Sequence, residues 1–327
     1  MSPEFMILFT SSNKLFLHEL EQRLPGNCRL IVPPSLSEPE ILPLIGDVDI
    51  IVGTRVSGNL ISSAGKLKMI QTVGTGVDGI AVDAATQRGV VVCSAVGLNA
   101  VPVAEYVLTL MLALAKNIIK NDRKLRDEGW LRTPSILMEN KTLGIVGLGS
   151  IGLEVAERAK AFKMRILAIK RNPSEDLKRR LGLDFLGSQD DLPYLLREAD
   201  FVLLSVVLTP ETKKLIGERE LRLMKKTAYL VNISRGNVID EHALIKVLQD
   251  GAIAGAGLDV FEAEPINRDN PLLTMQNVIL SPHTASGVES EEALKQRAVF
   301  VAKNIERLTR GQPPEKVVDP VLKYVLD

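Results

Sequence analysis

Cysteine, histidine and aromatic residues are scarce in this chain of 327 residues, which has two Cys, three His, one Trp and aromatics at 4%. Cys28 and Cys93 lie far apart in unrelated contexts. That argues against a disulfide framework or a cysteine metal site and fits a reducing cytoplasm; no metal is expected. An excess of one charge is missing too. Forty Lys and Arg stand against forty Asp and Glu, so no global field favours nucleic acid or an anionic membrane, and a small-molecule partner is expected. Long hydrophobic runs are lacking: the best apolar helix candidate, Val101 to Ala115, contains Pro102 and Glu105 and falls short of the roughly 20 residues that span a bilayer. No basic-then-apolar leader opens the chain, which again points to the cytoplasm. Met1-Ser2-Pro3-Glu4-Phe5 precedes a second Met and reads as a vector-derived extension outside the fold.

What remains is ordinary globular composition, 46% hydrophobic and 24% charged, in a chain long enough for two domains. From Met6 the pattern alternates short apolar runs with polar helical stretches. Met6 to Phe9, Cys28 to Val32, Ile50 to Val52, Met69 to Val73 and Val90 to Val92 read as strands, with a helix over Asn13 to Leu24. A second series follows at Leu143 to Val146, Arg165 to Ile169, Phe201 to Val206, Tyr229 to Ile233, Gly255 to Leu258 and Val278 to Leu280. Helices between strands imply parallel sheets joined by crossovers. Between the two series, Val103 to Asn117 is apolar nearly all round and is expected to be buried on more than one face, between domains or at a subunit interface. The final helix, Glu291 to Thr309, is expected to return to the first domain.

The second series opens on Gly147-Leu148-Gly149-Ser150-Ile151-Gly152, after a strand and before a helix. That context converts a common glycine spacing into a dinucleotide-binding turn. Gly147 permits the tight turn, Gly149 lets the backbone approach a pyrophosphate, and Gly152 lets helix and strand pack closely. The helix N-terminus then offers free N–H groups to the phosphates. The following strand ends Ala168-Ile169-Lys170-Arg171, where an acid would bind the ribose hydroxyls of NAD(H). Lys170 and Arg171 can instead make charge-assisted hydrogen bonds to a 2′-phosphate. NADP(H) is therefore the favoured cofactor and NAD(H) the alternative.

Further motifs are Val73-Gly74-Thr75-Gly76-Val77-Asp78, Asn99 with Val103-Ala104-Glu105, Asn232-Ile233-Ser234-Arg235-Gly236, Gly257-Leu258-Asp259 running on to Glu264-Pro265, and Ser281-Pro282-His283-Thr284. With the glycine turn, in this order, they resemble the D-isomer-specific 2-hydroxyacid dehydrogenases over essentially the whole length after Met6. The resemblance implies an α/β fold of two doubly wound parallel-sheet domains, a Rossmann nucleotide domain inserted into a flavodoxin-like substrate domain, with the active site in the cleft. The expected boundaries are 6–101 with 292–327 for the substrate domain and 102–291 for the dinucleotide domain, with hinges near Ala100-Val101 and Ser286-Gly287. A homodimer is also implied, its two-fold interface around the apolar helix.

Chemistry supports these residues individually. Reducing a 2-oxo acid requires an anchored carboxylate, a polarised carbonyl oxygen and a proton delivered as hydride reaches C2. Arg235 carries a permanent charge on a planar fork suited to a carboxylate and the adjacent oxygen. His283 is the expected acid in reduction and base in oxidation, with Glu264 fixing its tautomer. By the resemblance, the amides of Val73 and Gly74 hold the substrate carboxylate. The resemblance also puts Thr75, Val206, Thr209, Pro210, Ile233, Ser234, Asp259, Thr284 and Ser286 beside the cofactor, Asp259 at the nicotinamide carboxamide. His18 and His242, in polar helical contexts, read as surface residues.

Arg55 lies on the loop from which relatives contact the variable end of the substrate, where a second cation suits a phosphate and thus 3-phosphoglycerate. Phosphoglycerate dehydrogenases, however, often place another arginine where this chain has Thr72, and commonly carry a further C-terminal domain. Glyoxylate, hydroxypyruvate or a related 2-oxo acid is the preferred substrate. Formate dehydrogenases are disfavoured because they use Gln where Glu264 stands, and the L-lactate and L-malate enzymes because their glycine turn lies near the N-terminus. Phosphite-oxidising members share the triad. The rival from another class is a dinucleotide-sensing transcriptional corepressor, which shares this fold.

Overall fold

Short apolar strands separated by helices favour parallel pairing through crossover connections, and two parallel sheets result. A computed structural model describes residues 4–130, 132–286, 291–321 and 324–325. The chain divides into two compact units, Met1–Asn99 with Glu289–Asp327, and Ala100–Val288. Of the two expected hinges, Ala100-Val101 falls inside the helix Ala100–Ala115, and Gly287 of the other lies outside the described residues.

The first unit contains β1 (Phe5–Thr10), β2 (Cys28–Ile31), β3 (Ile50–Gly53), β4 (Met69–Thr72) and β5 (Val91–Cys93). They run in parallel in the order β2-β1-β3-β4-β5, the flavodoxin-like order. β3 and β4 are buried along their whole length, which is why they read as continuous rather than alternating apolar runs. On one face, Phe9, Ile50, Val52 and Met69 pack with Phe16 and Leu20 of the helix Lys14–Glu21 and with Leu294, Val301 and Ile305 of the helix Glu291–Thr309. Asn13 starts the first of these helices by accepting the Phe16 N–H at 2.9 Å, a cap worth about 1 kcal/mol. Phe5 corrects the sequence reading. It is the first residue of β1, pairs with Cys28 and is buried, with the Lys68 ammonium 4.7 Å from its ring centre. Its apolar ring continues the strand pattern into the fold.

The second unit contains β6 (Thr142–Val146), β7 (Arg165–Ile169), β8 (Phe185–Gly187), β9 (Phe201–Leu204), β10 (Tyr229–Asn232), β11 (Gly255–Leu258) and β12 (Val278–Leu280). Their parallel order is β12-β11-β10-β9-β6-β7-β8, a Rossmann order that reverses between β6 and β9. β8, a three-residue edge strand, was not anticipated from the sequence; so short a run gives no periodicity to read.

The apolar helix spans Ala100–Ala115 and buries one face within its own unit, with Val103, Val107, Leu110, Met111 and Leu114 inside. It packs on the helix Ser150–Ala161 and over β10 and β11. β11 makes room by being nearly bare: a Cβ on Gly257 would lie 3.3 Å from the Leu110 Cβ and 3.4 Å from the Leu114 Cδ1. Val101 on this helix is exposed, and further exposed apolar residues follow at Ile118, Ile119, Leu125, Trp130 and Leu137. Among the described residues no single helix is long and apolar enough to cross a membrane.

Candidate active site

In a parallel sheet with a switch in strand order, ligands gather beyond the carboxyl ends of the strands. All the second-unit residues singled out in the sequence follow such ends or the helix after them. At the switch, Gly147 follows β6 with φ +100°, a conformation that disfavours any side chain. A Cβ there would also sit 2.7 Å from the Ser205 carbonyl oxygen, beyond β9. Ser205 Oγ donates to Gly147 O at 2.6 Å and ties the two strand ends together. A Cβ on Gly152 would come within 2.6 Å of the same Gly147 oxygen, so only glycine lets the helix Ser150–Ala161 start this close. Gly149 meets nothing within 4 Å. Its open side, with the amides of Ser150 and Ile151 opening the helix, fits the pyrophosphate of a dinucleotide.

Beyond β7, Lys170 is half-buried and Arg171 exposed. The Lys170 N–H donates to Gly187 O of β8 at 2.9 Å, so the unanticipated edge strand sets the backbone of this corner. Val206, Thr209 and Pro210 lie on the loop after β9, where the Thr209 N–H donates to Thr212 Oγ1 at 2.7 Å. The Thr209 hydroxyl, and to a smaller degree the Arg171 charge, hold the Glu211 carboxyl below its usual range. The Glu211 carboxylate on the β9 loop thus lies within electrostatic reach of Arg171 at the end of β7.

The turn after β10 carries Arg235. Asn232, buried at the strand end, accepts the Ser234 N–H at 3.0 Å and the Ser234 Oγ at 2.7 Å, and its Nδ2 donates to Arg235 O at 3.0 Å. This is an Asx-type turn. It engages the Ser234 hydroxyl, and Ile233 beside it is buried. Gly236 then lies against the next loop. A Cβ there would be 1.9 Å from the Phe261 carbonyl carbon and 2.3 Å from the Glu262 nitrogen. The Arg235 turn and the Glu264 loop are in backbone contact, which is the physical reason for Arg-Gly.

Glu264 and His283 are brought together. Glu264 Oε2 lies 2.7 Å from His283 Nδ1, and its Oε1 accepts the Phe261 N–H at 3.1 Å. A carboxylate has nothing to donate, so Nδ1 carries the hydrogen and Nε2 remains for proton exchange. Both side chains are about half-exposed, at 46% for His283 and 37% for Glu264. A pair so wetted adds about 0–1 kcal/mol to stability; its value is positional. His283 itself has φ +54°, which costs a side-chain-bearing residue about 1–2 kcal/mol. Asp259 holds it there. That buried carboxylate accepts the Thr284 N–H and the Ala285 N–H, each at 2.8 Å, and the Ser281 Oγ at 2.6 Å, while its own carbonyl accepts the His283 N–H at 2.9 Å.

Sequence reasoning missed Asn232, Ser281 and Glu241. Glu241 accepts the Glu262 N–H at 3.1 Å and the Asn270 Nδ2 at 2.7 Å, and so anchors the loop that carries Glu264. An Asn two residues before a Ser is a legible turn signal; the Glu241 contact has none. Ser286 is half-buried. His18 and His242 are exposed.

In the first unit, Arg55 is exposed on the loop after β3, its Cγ lying 3.0 Å from where a Cβ on Gly79 would stand. Val73, Gly74 and Thr75 follow β4, with Gly74 O accepting the Ala95 N–H at 3.1 Å.

Comparison with known proteins agrees with this architecture. Residues 108–285 match the family model described as the D-isomer specific 2-hydroxyacid dehydrogenase, NAD binding domain. The chain is 42% identical over 293 residues to D-3-phosphoglycerate dehydrogenase of Methanocaldococcus jannaschii, covering 88% of this chain but only 55% of that protein. It is 41% identical over 301 residues to glyoxylate reductase of Korarchaeum cryptofilum, covering 89% of this chain and 88% of the relative. Among solved structures, the NADPH-dependent glyoxylate/hydroxypyruvate reductase of Sinorhizobium meliloti superposes with a TM-score of 0.84 at 27% identity, over 99% of this chain and 100% of the other.

Proposed function

The chain belongs to the D-isomer-specific 2-hydroxyacid dehydrogenase family, and from that premise we propose that it reduces a small 2-oxo acid, glyoxylate or hydroxypyruvate, to the 2-hydroxy acid. The observation that carries this reading is the Glu264–His283 hydrogen bond of 2.7 Å beyond the end of β12, on a unit that also holds a dinucleotide turn. When bound, the nicotinamide cofactor supplies the hydride for C2. Arg235 holds the substrate carboxylate and carbonyl oxygen, drawing electron density off C2. His283 delivers the Nε2 proton to that oxygen, and Glu264 keeps Nδ1 protonated so that only Nε2 exchanges. The amides of Val73 and Gly74 bind the carboxylate, Thr75 and Thr284 adjoin the nicotinamide, and Arg55 faces the substrate's far end. Asp259 orients the carboxamide as well as the His283 turn.

Initial rates with glyoxylate and hydroxypyruvate, each with NADPH and with NADH, test the proposal directly. Turnover of either acid is the expected result. Silence on both, with 3-phosphoglycerate oxidised, would favour the phosphoglycerate reading, which the 42% identity to the archaeal enzyme supports. Silence on every 2-oxo acid with tight cofactor binding would favour a corepressor.

NADP(H) is the proposed cofactor because two cations, Lys170 and Arg171, stand at the end of β7. Glu211, facing Arg171, works against a phosphate there. Replacing Lys170 with Glu is expected to cut kcat/KM for NADPH by about 10–100-fold, the loss of one hydrogen bond to a charged group at about 1.5–3 kcal/mol. The NADH value should change little. Equal losses for the two cofactors would remove the cations from the argument.

The protein is proposed to be a cytoplasmic homodimer. The surface that argues for self-association is the apolar segment after the buried helix, where Trp130, 81% exposed, lines one shallow cleft with the exposed Leu125; neighbouring exposed apolar residues of this kind mark contact surfaces. Combining Leu125→Asp with Trp130→Ser should convert a micromolar dimer into a monomer by sedimentation. A wild-type monomer would refute it.

A further inference from the structure

Four fully buried polar side chains lie together in the first unit beneath the loop 73–76: Gln71, Thr72, Ser94 and Asn304, each at most 2% exposed. Burying such groups is costly unless every one is bonded, and a bonded network fixes geometry. Here the bonds run to the loop's carbonyl groups. Gln71 Nε2 donates to Thr72 O at 3.0 Å, Thr72 Oγ1 to Gly74 O at 2.6 Å, and Ser94 Oγ to Thr75 O at 2.8 Å. Asn304, from the helix Glu291–Thr309, holds Gln71 through a 2.8 Å bond to its Oε1, and is itself fixed by the backbone of Glu315. A trans peptide points its N–H opposite to its carbonyl. Drawing the carbonyls of Thr72, Gly74 and Thr75 into the network therefore turns the N–H groups of Val73, Thr75 and Gly76 away from it.

We infer that Gln71, Thr72, Ser94 and Asn304 are positioning residues: by fixing the peptides on either side of the Val73–Gly74 link they aim the Val73 amide directly, and hold the Gly74 amide beside it, toward the substrate carboxylate. The inference rests on the proposed 2-oxo acid reaction and sharpens its substrate class. The Thr72 hydroxyl is engaged inward and presents no cation, so this loop reads a carboxylate through amides and suits an unphosphorylated acid.

Thr72→Val keeps the shape and removes the hydroxyl; Thr72→Ser keeps the hydroxyl. Thr72→Val is expected to raise KM for glyoxylate about tenfold with kcat little changed, the signature of lost substrate binding. KM for NADPH should hold, and Thr72→Ser should restore the wild-type value. Amide hydrogen exchange across residues 72–76, measured without substrate, should quicken in Thr72→Val alone. Unchanged exchange, or an unchanged glyoxylate KM in an active enzyme, would overturn the inference. So would a loss that Thr72→Ser shares. If the wild-type protein turns over no 2-oxo acid, the functional reading falls, and the exchange measurement still decides whether Thr72 sets the loop.

Discussion

Replacing His283 with glutamine should slow turnover of glyoxylate by about 10²–10⁴-fold, the usual contribution of a general acid, while cofactor binding stays intact. Glutamine can still accept and donate hydrogen bonds, but its amide cannot deliver a proton. The site is built to keep this one ring in place. Asp259 fixes the backbone on both sides of it, and Glu264 takes Nδ1. Titrating the variant with NADPH by fluorescence separates the two roles, because a collapsed turn would weaken the cofactor as well. A variant that retained about a tenth or more of wild-type turnover would lie outside the expected range and remove His283 from the mechanism.

Arg235→Gln is the second large effect. Two hydrogen bonds to a charged group, at about 1.5–3 kcal/mol each, correspond to about 10²–10⁴-fold in kcat/KM. Arg235→Lys should recover little of it, because an ammonium cannot match the planar fork. Gly236→Ala should produce a comparable loss without touching the charge, since its Cβ would stand 1.9 Å from the Phe261 carbonyl carbon and must push the Arg235 turn off the Glu264 loop. If Gly236→Ala were fully active, the backbone contact would not set the geometry. If Arg235→Gln kept its kcat/KM, the anchor would lie elsewhere.

These residues were legible in the sequence for different reasons. The glycine turn announces itself locally: a strand, three glycines and a helix determine one another within twenty residues, and the structure places each glycine where a Cβ would collide or where space is open. Arg235, Glu264 and His283 were legible through motif context. The pairing of Glu264 with His283, expected from the motif context, spans nineteen positions and follows from β11 and β12 lying side by side. The clamps were harder. Asn232 reads as part of a strand, although the Asn two residues before Ser234 is a turn signal, and Asp259 reads as a cofactor residue alone, with no local sign that its carboxylate also holds the His283 turn. The apolar helix shows that uniform hydrophobicity reports burial without naming the partner; packing on the helix Ser150–Ala161 and on β10 and β11 accounts for one of its faces. β8 was too short to carry a pattern. The network under the loop 73–76 joins residues up to 233 positions apart, beyond any periodicity.

Gly257 turns such hidden dependence into a practical hazard. The bare strand under the helix Ala100–Ala115 works as a spacer whose thickness is set by a missing atom, and Asp259 stands two residues downstream. Any programme of thermostabilisation that swaps glycines for alanines to stiffen the unfolded chain would find position 257 inviting. The added methyl would lie 3.3 Å from the Leu110 Cβ, a contact that helix or strand relieves only by moving a few tenths of an ångström, and a shift taken by the strand would pass to the clamp on His283. An assay would then record a loss of activity from a residue that touches no substrate.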